Sequence, residues 1–262
     1  MSFATKYGPW ALVAGASEGL GAAFAEALAA RGLSLVLLAR RRELLDEVAR
    51  GVTSRHDVEV HTHAVDLARP DLGSVLREVT DGVDLGCAVY NAAFAPIGHV
   101  LNRREDELLR VVDVNVRGPL LLSRALAPGF VAKGRGGLVL MSSMAGFQGA
   151  PNIAAYAASK AFTTVLGEGL WAELAPRGVD VVVSCAGAIR TPNYGGASTR
   201  EAPGTLDARE VADATLDALG RGPSVVPGMT NRIARFVLGR LAPRRTAIDL
   251  MAANTRTLKE TP

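Results

Sequence analysis

The chain has 262 residues, 48% of them hydrophobic, with 29 basic against 26 acidic side chains and a formal net charge of +3. That length fits one large α/β domain, and a charge so small excludes a nucleic-acid partner as the main expectation. No apolar run approaches the roughly 18 residues that a membrane span needs, and Met1–Lys6 lacks the apolar core of a secretory signal. Apolar runs predict strands at Trp10–Ala14, Ser34–Ala39, Glu59–Val65, Cys87–Tyr90, Leu138–Ser142, Asp180–Cys185 and Ser224–Pro227. Between them lie helical stretches near Gly19–Ala30, Arg41–Thr53, Asp71–Val79, Glu105–Ala127, Ala154–Ala175 and Ala208–Leu219. Short continuous strands separated by helices predict a doubly wound parallel sheet of about seven strands, of Rossmann type, covered on both faces. Residues 228–262 read as a C-terminal helical extension of this single domain.

Two features carry chemistry. Gly15-Ala16-Ser17-Glu18-Gly19-Leu20-Gly21 directly follows the first strand and opens an alanine-rich helix. A strand, a glycine turn and a helix N-terminus together present free N–H groups and a partial positive charge to a pyrophosphate. The spacing is Gly-x3-Gly-x-Gly. The second feature is Tyr156-Ala157-Ala158-Ser159-Lys160, which places a phenol and an ammonium on one helix face, one turn apart. The ammonium favours the phenolate, so the tyrosine pKa is expected to fall from about 10 towards working pH. Lowered in that way, a tyrosine serves as general acid or base.

In this order and spacing the chain resembles the short-chain dehydrogenase/reductase family, in its single-domain form. Gly15, Gly19 and Gly21 match the cofactor-loop glycines, with Ser17, Glu18 and Leu20 between them. Asp66, followed by Leu67, is similar to the aspartate that contacts adenine in the family. Asn91 lies in Tyr90-Asn91-Ala92-Ala93, where the family has Asn-Asn-Ala-Gly; Tyr90 and Ala93 depart from that pattern and put the local loop geometry in question. Asn115 falls at the family's helix asparagine, and Ser143 lies thirteen residues before Tyr156, the family spacing. Ala186-Gly187-Ala188-Ile189-Arg190-Thr191 stands in for the segment bordering the nicotinamide, with Ala186 replacing a proline.

The resemblance implies an enzyme that moves a hydride between a nicotinamide cofactor and a carbonyl or alcohol. Tyr156 would donate the proton in reduction and accept it in oxidation. Lys160 would lower its pKa and hold the nicotinamide ribose. Asn115 would hold a water against Lys160, and Ser143 would hydrogen-bond the substrate oxygen. Alternation along the strand turns Ser142 the other way. Gly187, Ile189 and Thr191 complete the cofactor set. At the end of the second strand Ala39 occupies the place of a ribose-binding acid and Arg40 follows it, the pattern of members preferring NADP(H) over NAD(H). Glu18 argues mildly the other way. Arg41 and Arg42 can equally be the solvated start of a helix.

Residues 192–206, rich in Gly, Ser, Thr and Pro, are expected to form a substrate lid with Asn193 and Tyr194 as candidate contacts. Phe94, Ala95, Pro96, Ile97, Phe147 and Ala150 predict an apolar pocket edge. The expected reaction is NADPH-dependent reduction of a ketone or aldehyde on an acyl, steroid or polyketide skeleton. The alternatives are alcohol oxidation and a non-catalytic NADP(H)-binding sensor. The opening Tyr7-Gly8-Pro9-Trp10 is similar to members acting on long-chain acyl and steroid ketones. Cys87 and Cys185 stand apart in buried strands, which favours free thiols in a reducing compartment, hence the cytoplasm. His61 and His63 share a strand face with no third ligand near, so no metal is expected. Thr230–Leu241 reads as a basic amphipathic helix, with packing at the substrate mouth or a subunit interface preferred over contact with a membrane surface. The resemblance also implies a homodimer or homotetramer, formed through the two long central helices.

Overall fold

A computed structural model describes residues 2–192, 201–256 and 258. Seven parallel strands form one sheet: β1 (Trp10–Ala14), β2 (Ser34–Ala39), β3 (Val60–Ala64), β4 (Leu85–Tyr90), β5 (Gly136–Ser143), β6 (Val179–Ala186) and, after two short strands β7 (Ile189–Arg190) and β8 (Leu206–Asp207), β9 (Ser224–Val225). Their order in space is β3-β2-β1-β4-β5-β6-β9. The winding therefore reverses between β1 and β4, the position at which open parallel sheets bind ligands.

Alternation along the strands splits the core in two. Ala11, Val13, Leu35 and Leu37 pack with Phe24 and Leu28 of α2 (Gly19–Ala29) and Leu216 of α8 (Ala208–Ala218) on one face. Leu12, Ala14, Val36 and Leu38 join Leu122 and Phe130 on the other. All eight strand side chains are fully buried. At about 25 cal/mol per Å² of apolar surface, this continuous two-sided burial dominates the stability of the sheet. Helices α3 (Arg42–Thr53) and α4 (Leu72–Val79) complete the first half. All but one of the expected helices and strands are present, with ends moved by at most two residues.

One element differs. The helix expected to run unbroken over Glu105–Ala127 is three pieces: α5 (Glu105–Val112), a wide π-type turn at Asp113–Arg117, and α6 (Gly118–Lys133). The wide turn coincides with an anchor. The Tyr90 hydroxyl donates to the Val114 carbonyl at 2.6 Å, deep in the core. Gly118 makes room for that ring, since a Cβ there would lie 1.9 Å from the tyrosine oxygen. Bulges of this kind concentrate at functional sites, and this one carries Asn115.

The long α7 (Ala154–Leu174) lies beside α6, and the C-terminal extension forms α9 (Met229–Phe236), a wide turn at Val237–Leu241, and α10 (Arg244–Thr255). Among the described residues no helix is long and apolar enough to cross a membrane.

Candidate active site

The carboxyl ends of six adjacent strands deliver the site. Gly15 follows β1, Arg40 follows β2, Asp66 follows β3 by one residue, Asn91 follows β4, Ser143 ends β5 and Gly187 follows β6. The glycine turn is built by close backbone approach. Gly15 has φ +89° and its amide donates to Leu38 O at 2.7 Å; the Asn91 Nδ2 donates to Gly15 O at 2.9 Å. A Cβ on Gly21 would fall 1.8 Å from Gly15 O, so the turn and the start of α2 touch backbone to backbone. Across the turn, a Cβ on Gly19 would fall 3.0 Å from Thr191 Cγ2. The matching of the Asn-Asn-Ala-Gly segment is thus retained where it counts for the turn, while Tyr90 points away into the core.

A cleft of about 270 Å³ opens above this edge, lined by Gly15, Ser17, Glu18, Gly19, Leu20, Arg40, Asp66, Leu67, Asn91 and Thr191 among others. These are ten of the expected cofactor residues. Ala39 is buried and brings no carboxylate to the end of β2. Arg41, read as an equally plausible surface residue, also lines the cleft: it pairs with Glu18 at 2.5 Å and donates to Ser17 Oγ at 3.2 Å. Glu18 is therefore matched by an arginine, which removes its repulsion towards a phosphate. The chemistry of this lining fits a dinucleotide: N–H groups at a helix N-terminus, two glycines, and arginines at one end.

Ser143, Tyr156 and Lys160 are not part of that lining; Ser143 ends β5 at the same sheet edge, and Tyr156 and Lys160 stand on α7. Ser142 donates to Lys160 O at 2.7 Å and pairs with Thr164 at 2.8 Å, so its side chain faces α7 as alternation predicted. Ser143 instead accepts from the Ala145 amide at 3.1 Å, and its hydroxyl favours the Tyr156 phenolate. Lys160 is buried, with its ammonium 5.5 Å from the Tyr156 ring centre and donating to Met141 O at 2.8 Å. Asn115 is buried too. Its amide exchanges two hydrogen bonds with the Phe94 backbone, at 2.8 and 2.9 Å, and donates to Ser159 at 3.0 Å. It thus ties the loop after β4 to α7, and its own carbonyl accepts from Thr163 at 3.4 Å.

The electrostatics differ from the expectation. Tyr156 does not fall towards neutral pH. Burial pushes its pKa above 10, opposed in part by the hydrogen bond to Ser143. Burial also pulls Lys160 down to about 8. Desolvation of each charged form outweighs the attraction between them, because the ammonium is directed at Met141 O rather than at the phenol oxygen.

Residues the sequence reading did not select also reach the site. Met251 of α10 packs with Ile153 and Tyr156 around Ala145, Ala150 and Ala157. Arg235 of α9 stacks on Phe147 at 3.7 Å, and Arg244 donates to Phe147 O at 2.6 Å. Arg110 of α5 lines the cleft beside Asp66. The base of the expected lid is stitched by Arg190, which pairs with Glu201 and Asp207. Asn231 supports its return by donating to Gly204 O and Pro227 O. Asn193 and Tyr194 lie outside the described residues.

A family model described as short chain dehydrogenase matches residues 9–202. A 7beta-hydroxysteroid dehydrogenase of Collinsella aerofaciens is 32% identical over 238 residues, which are 88% of this chain and 90% of that one. A solved 7beta-hydroxysteroid dehydrogenase structure superposes with a TM-score of 0.90 at 29% identity, covering 96% of this chain and 99% of the other. A short-chain dehydrogenase of Sphingobium yanoikuyae, solved with NADPH, gives 0.74 at 32% identity, covering 84% and 87%. With the glycine turn, the serine, the tyrosine and the lysine brought to one sheet edge, the chain belongs to the short-chain dehydrogenase/reductase family and is an oxidoreductase.

Proposed function

We propose that the protein is an NADPH-dependent reductase of a ketone on a bulky apolar skeleton, working in the cytoplasm as a homo-oligomer. The observation that carries the reading is the pairing of Tyr156 with the buried Lys160 on α7, the ammonium 5.5 Å from the phenol ring, beside the end of β5 where Ser143 stands. Tyr156 keeps its proton through neutral pH, which suits a donor to a carbonyl oxygen gaining a hydride. Ser143 would hold that oxygen within reach, and Lys160 would stabilise the alkoxide-like charge electrostatically. Asn115 holds the loop after β4 against α7, keeping the two walls in register. The cofactor supplies the hydride; the chain supplies positioning and a proton.

NADP(H) is favoured over NAD(H) by Arg40 at the cleft edge, by the missing acid at Ala39, and by the pairing of Glu18 with Arg41. Ala150, Ile153 and Met251 around Tyr156 favour an apolar substrate, and the related protein named as a hydroxysteroid dehydrogenase supports a fused-ring ketone. The oligomer is supported by Leu109, Val112, Leu120, Val165 and Trp171, large apolar side chains left exposed on α5, α6 and α7.

The test is loss of reduced-nicotinamide absorbance against ketones graded by chain length and ring size. Tyr156→Phe is expected to lower kcat by about 100-fold or more. Arg40→Ala is expected to raise KM for NADPH about 10-fold more than for NADH, the loss of one charge-assisted phosphate contact. Equal effects on the two cofactors would defeat the NADP assignment. Full turnover in Tyr156→Phe would defeat the catalytic one.

A further inference from the structure

Arg110 stands where the cleft narrows at the end of β3. One of its terminal nitrogens donates to both carboxylate oxygens of Asp66, at 3.0 and 2.9 Å. Its guanidinium carbon lies 5.8 Å from the Phe94 ring centre, within the range of a cation–π contact. The Asp66 carboxylate also accepts from the Ala68 amide at 3.0 Å. Burial alone would raise the pKa of Asp66, but the Ala68 amide and the Arg110 guanidinium outweigh it and hold the carboxyl below its usual range. The acid is therefore a fixed, ionised acceptor whose orientation is set from two sides. Apolar Val65 and Leu67 flank it in the same lining.

A slot with apolar side walls, a flat cation at one side and an oriented carboxylate at its rim fits a planar heterocycle carrying an exocyclic amino group. We propose that Arg110 is a positioning and specificity residue for the adenine ring: it locks Asp66 as the acceptor for the adenine amino group and presents its guanidinium plane to the ring. Guanidinium groups stack on planar π-systems, which a lysine ammonium cannot do. A base with a carbonyl in place of the amino group would set two acceptors against each other at Asp66. The inference rests on the cleft binding a nicotinamide dinucleotide. It is independent of the choice between NAD(H) and NADP(H), because both carry adenine.

The experiment measures dissociation constants by calorimetry, without turnover, for NADPH and for reduced nicotinamide hypoxanthine dinucleotide phosphate. Wild type, Arg110→Met, Arg110→Lys, Asp66→Asn and the Arg110→Met/Asp66→Asn double variant are compared. Wild type is expected to prefer the adenine form by about 10–100-fold, the range of a hydrogen bond to a charged group. Arg110→Met should weaken NADPH about 10-fold and shrink the adenine preference, with Arg110→Lys only partly restoring it. Because Arg110 acts in part through Asp66, the double variant should lose less than the sum of the two single losses. An unchanged adenine preference in Arg110→Met would overturn the proposal and make Arg110 a general charge contact. Tighter NADPH binding in that variant would overturn it too, showing that Arg110 competes with the base for Asp66. Either result leaves the reductase reading standing, since that reading is decided by Tyr156→Phe and Arg40→Ala.

Discussion

Lys160 offers the sharpest physical test, because the fold holds it against its own charge. Its side chain is 3% exposed, and burial pulls its pKa from 10.5 to about 8. The unfolded chain keeps the ordinary value, so between pH about 8 and about 10.5 it binds more protons than the folded chain does. Stability therefore rises with pH across that window. Below about 8 the ammonium is charged in both states and its burial cost is fully present; towards 10.5 that cost disappears. Each pH unit is worth about 1.4 kcal/mol, so the whole window is worth about 3 kcal/mol. Lys160→Met removes the titration while keeping the length of the side chain. It also removes the bond to Met141 O, a loss that does not depend on pH through this interval. The assay is urea denaturation of wild type and variant at several pH values across the window. Other groups titrate in both proteins and drop out of the difference. The wild type should gain on the variant by roughly 3 kcal/mol from the low to the high end. A difference in unfolding free energy that stays flat would refute the argument that the ammonium is buried at a cost.

Two further predictions concern groups outside the cleft. Tyr90→Phe leaves the buried Val114 carbonyl without the donor it has at 2.6 Å, and is expected to cost about 1–3 kcal/mol in urea unfolding; an unchanged midpoint would show that the wide turn does not need the anchor. Glu26 of α2 is held at about 2 by hydrogen bonds to Arg55 first and then His56. Its folded pKa lies below its unfolded one, so its contribution is present above about 4.5 and is lost as pH falls towards 2. Arg55 is more than half exposed and solvent screens the pair, so Glu26→Gln should cost only about 1 kcal/mol near neutral pH. Near pH 2 the two proteins should unfold alike, and a cost that persists there would remove the ion pair as its cause.

The sheet and most of the site were legible because both depend on short-range signals. A buried parallel strand is a continuous apolar run, and Ser143 and most of the cleft residues sit at or near the end of such a run, while Tyr156 and Lys160 are marked by their spacing on α7. Asn115 was legible only through the family pattern. Nothing in the apolar periodicity of Glu105–Ala127 marks the break beneath it, since a wide turn shifts the helical face without changing the composition. Tyr90 illustrates the same limit from the other side. By sequence it is a departure from the family motif that puts a loop in question; in three dimensions its ring turns into the core and fixes the turn that carries Asn115. The space it needs is provided by Gly118, 28 positions later in the chain. Arg110 and Asp66 meet across 44 positions because α5 crosses the end of β3, a relation no local spacing encodes. Met251 reaches Tyr156 only because the C-terminal helices fold back over the loop after β5.

The Tyr156–Lys160 pair shows why spacing alone misjudges electrostatics. Four residues on a helix bring two side chains to one face, but the sign and size of their mutual effect depend on where the charged atoms are aimed and on what surrounds them. Here the ammonium is buried and satisfied by a backbone carbonyl, while the phenol is partly buried beside it. Desolvation then moves the tyrosine up and the lysine down, so the phenol holds its proton more tightly than the ammonium does. The consequence for chemistry is directional. A tyrosine held protonated is ready to donate when a carbonyl oxygen beside Ser143 gains negative charge, and that charge is what a nearby ammonium stabilises. Running the reaction the other way requires the same buried phenol to give up its proton first. In the proposed reduction, burial therefore leaves the phenol in the protonated form from which its proton transfer starts.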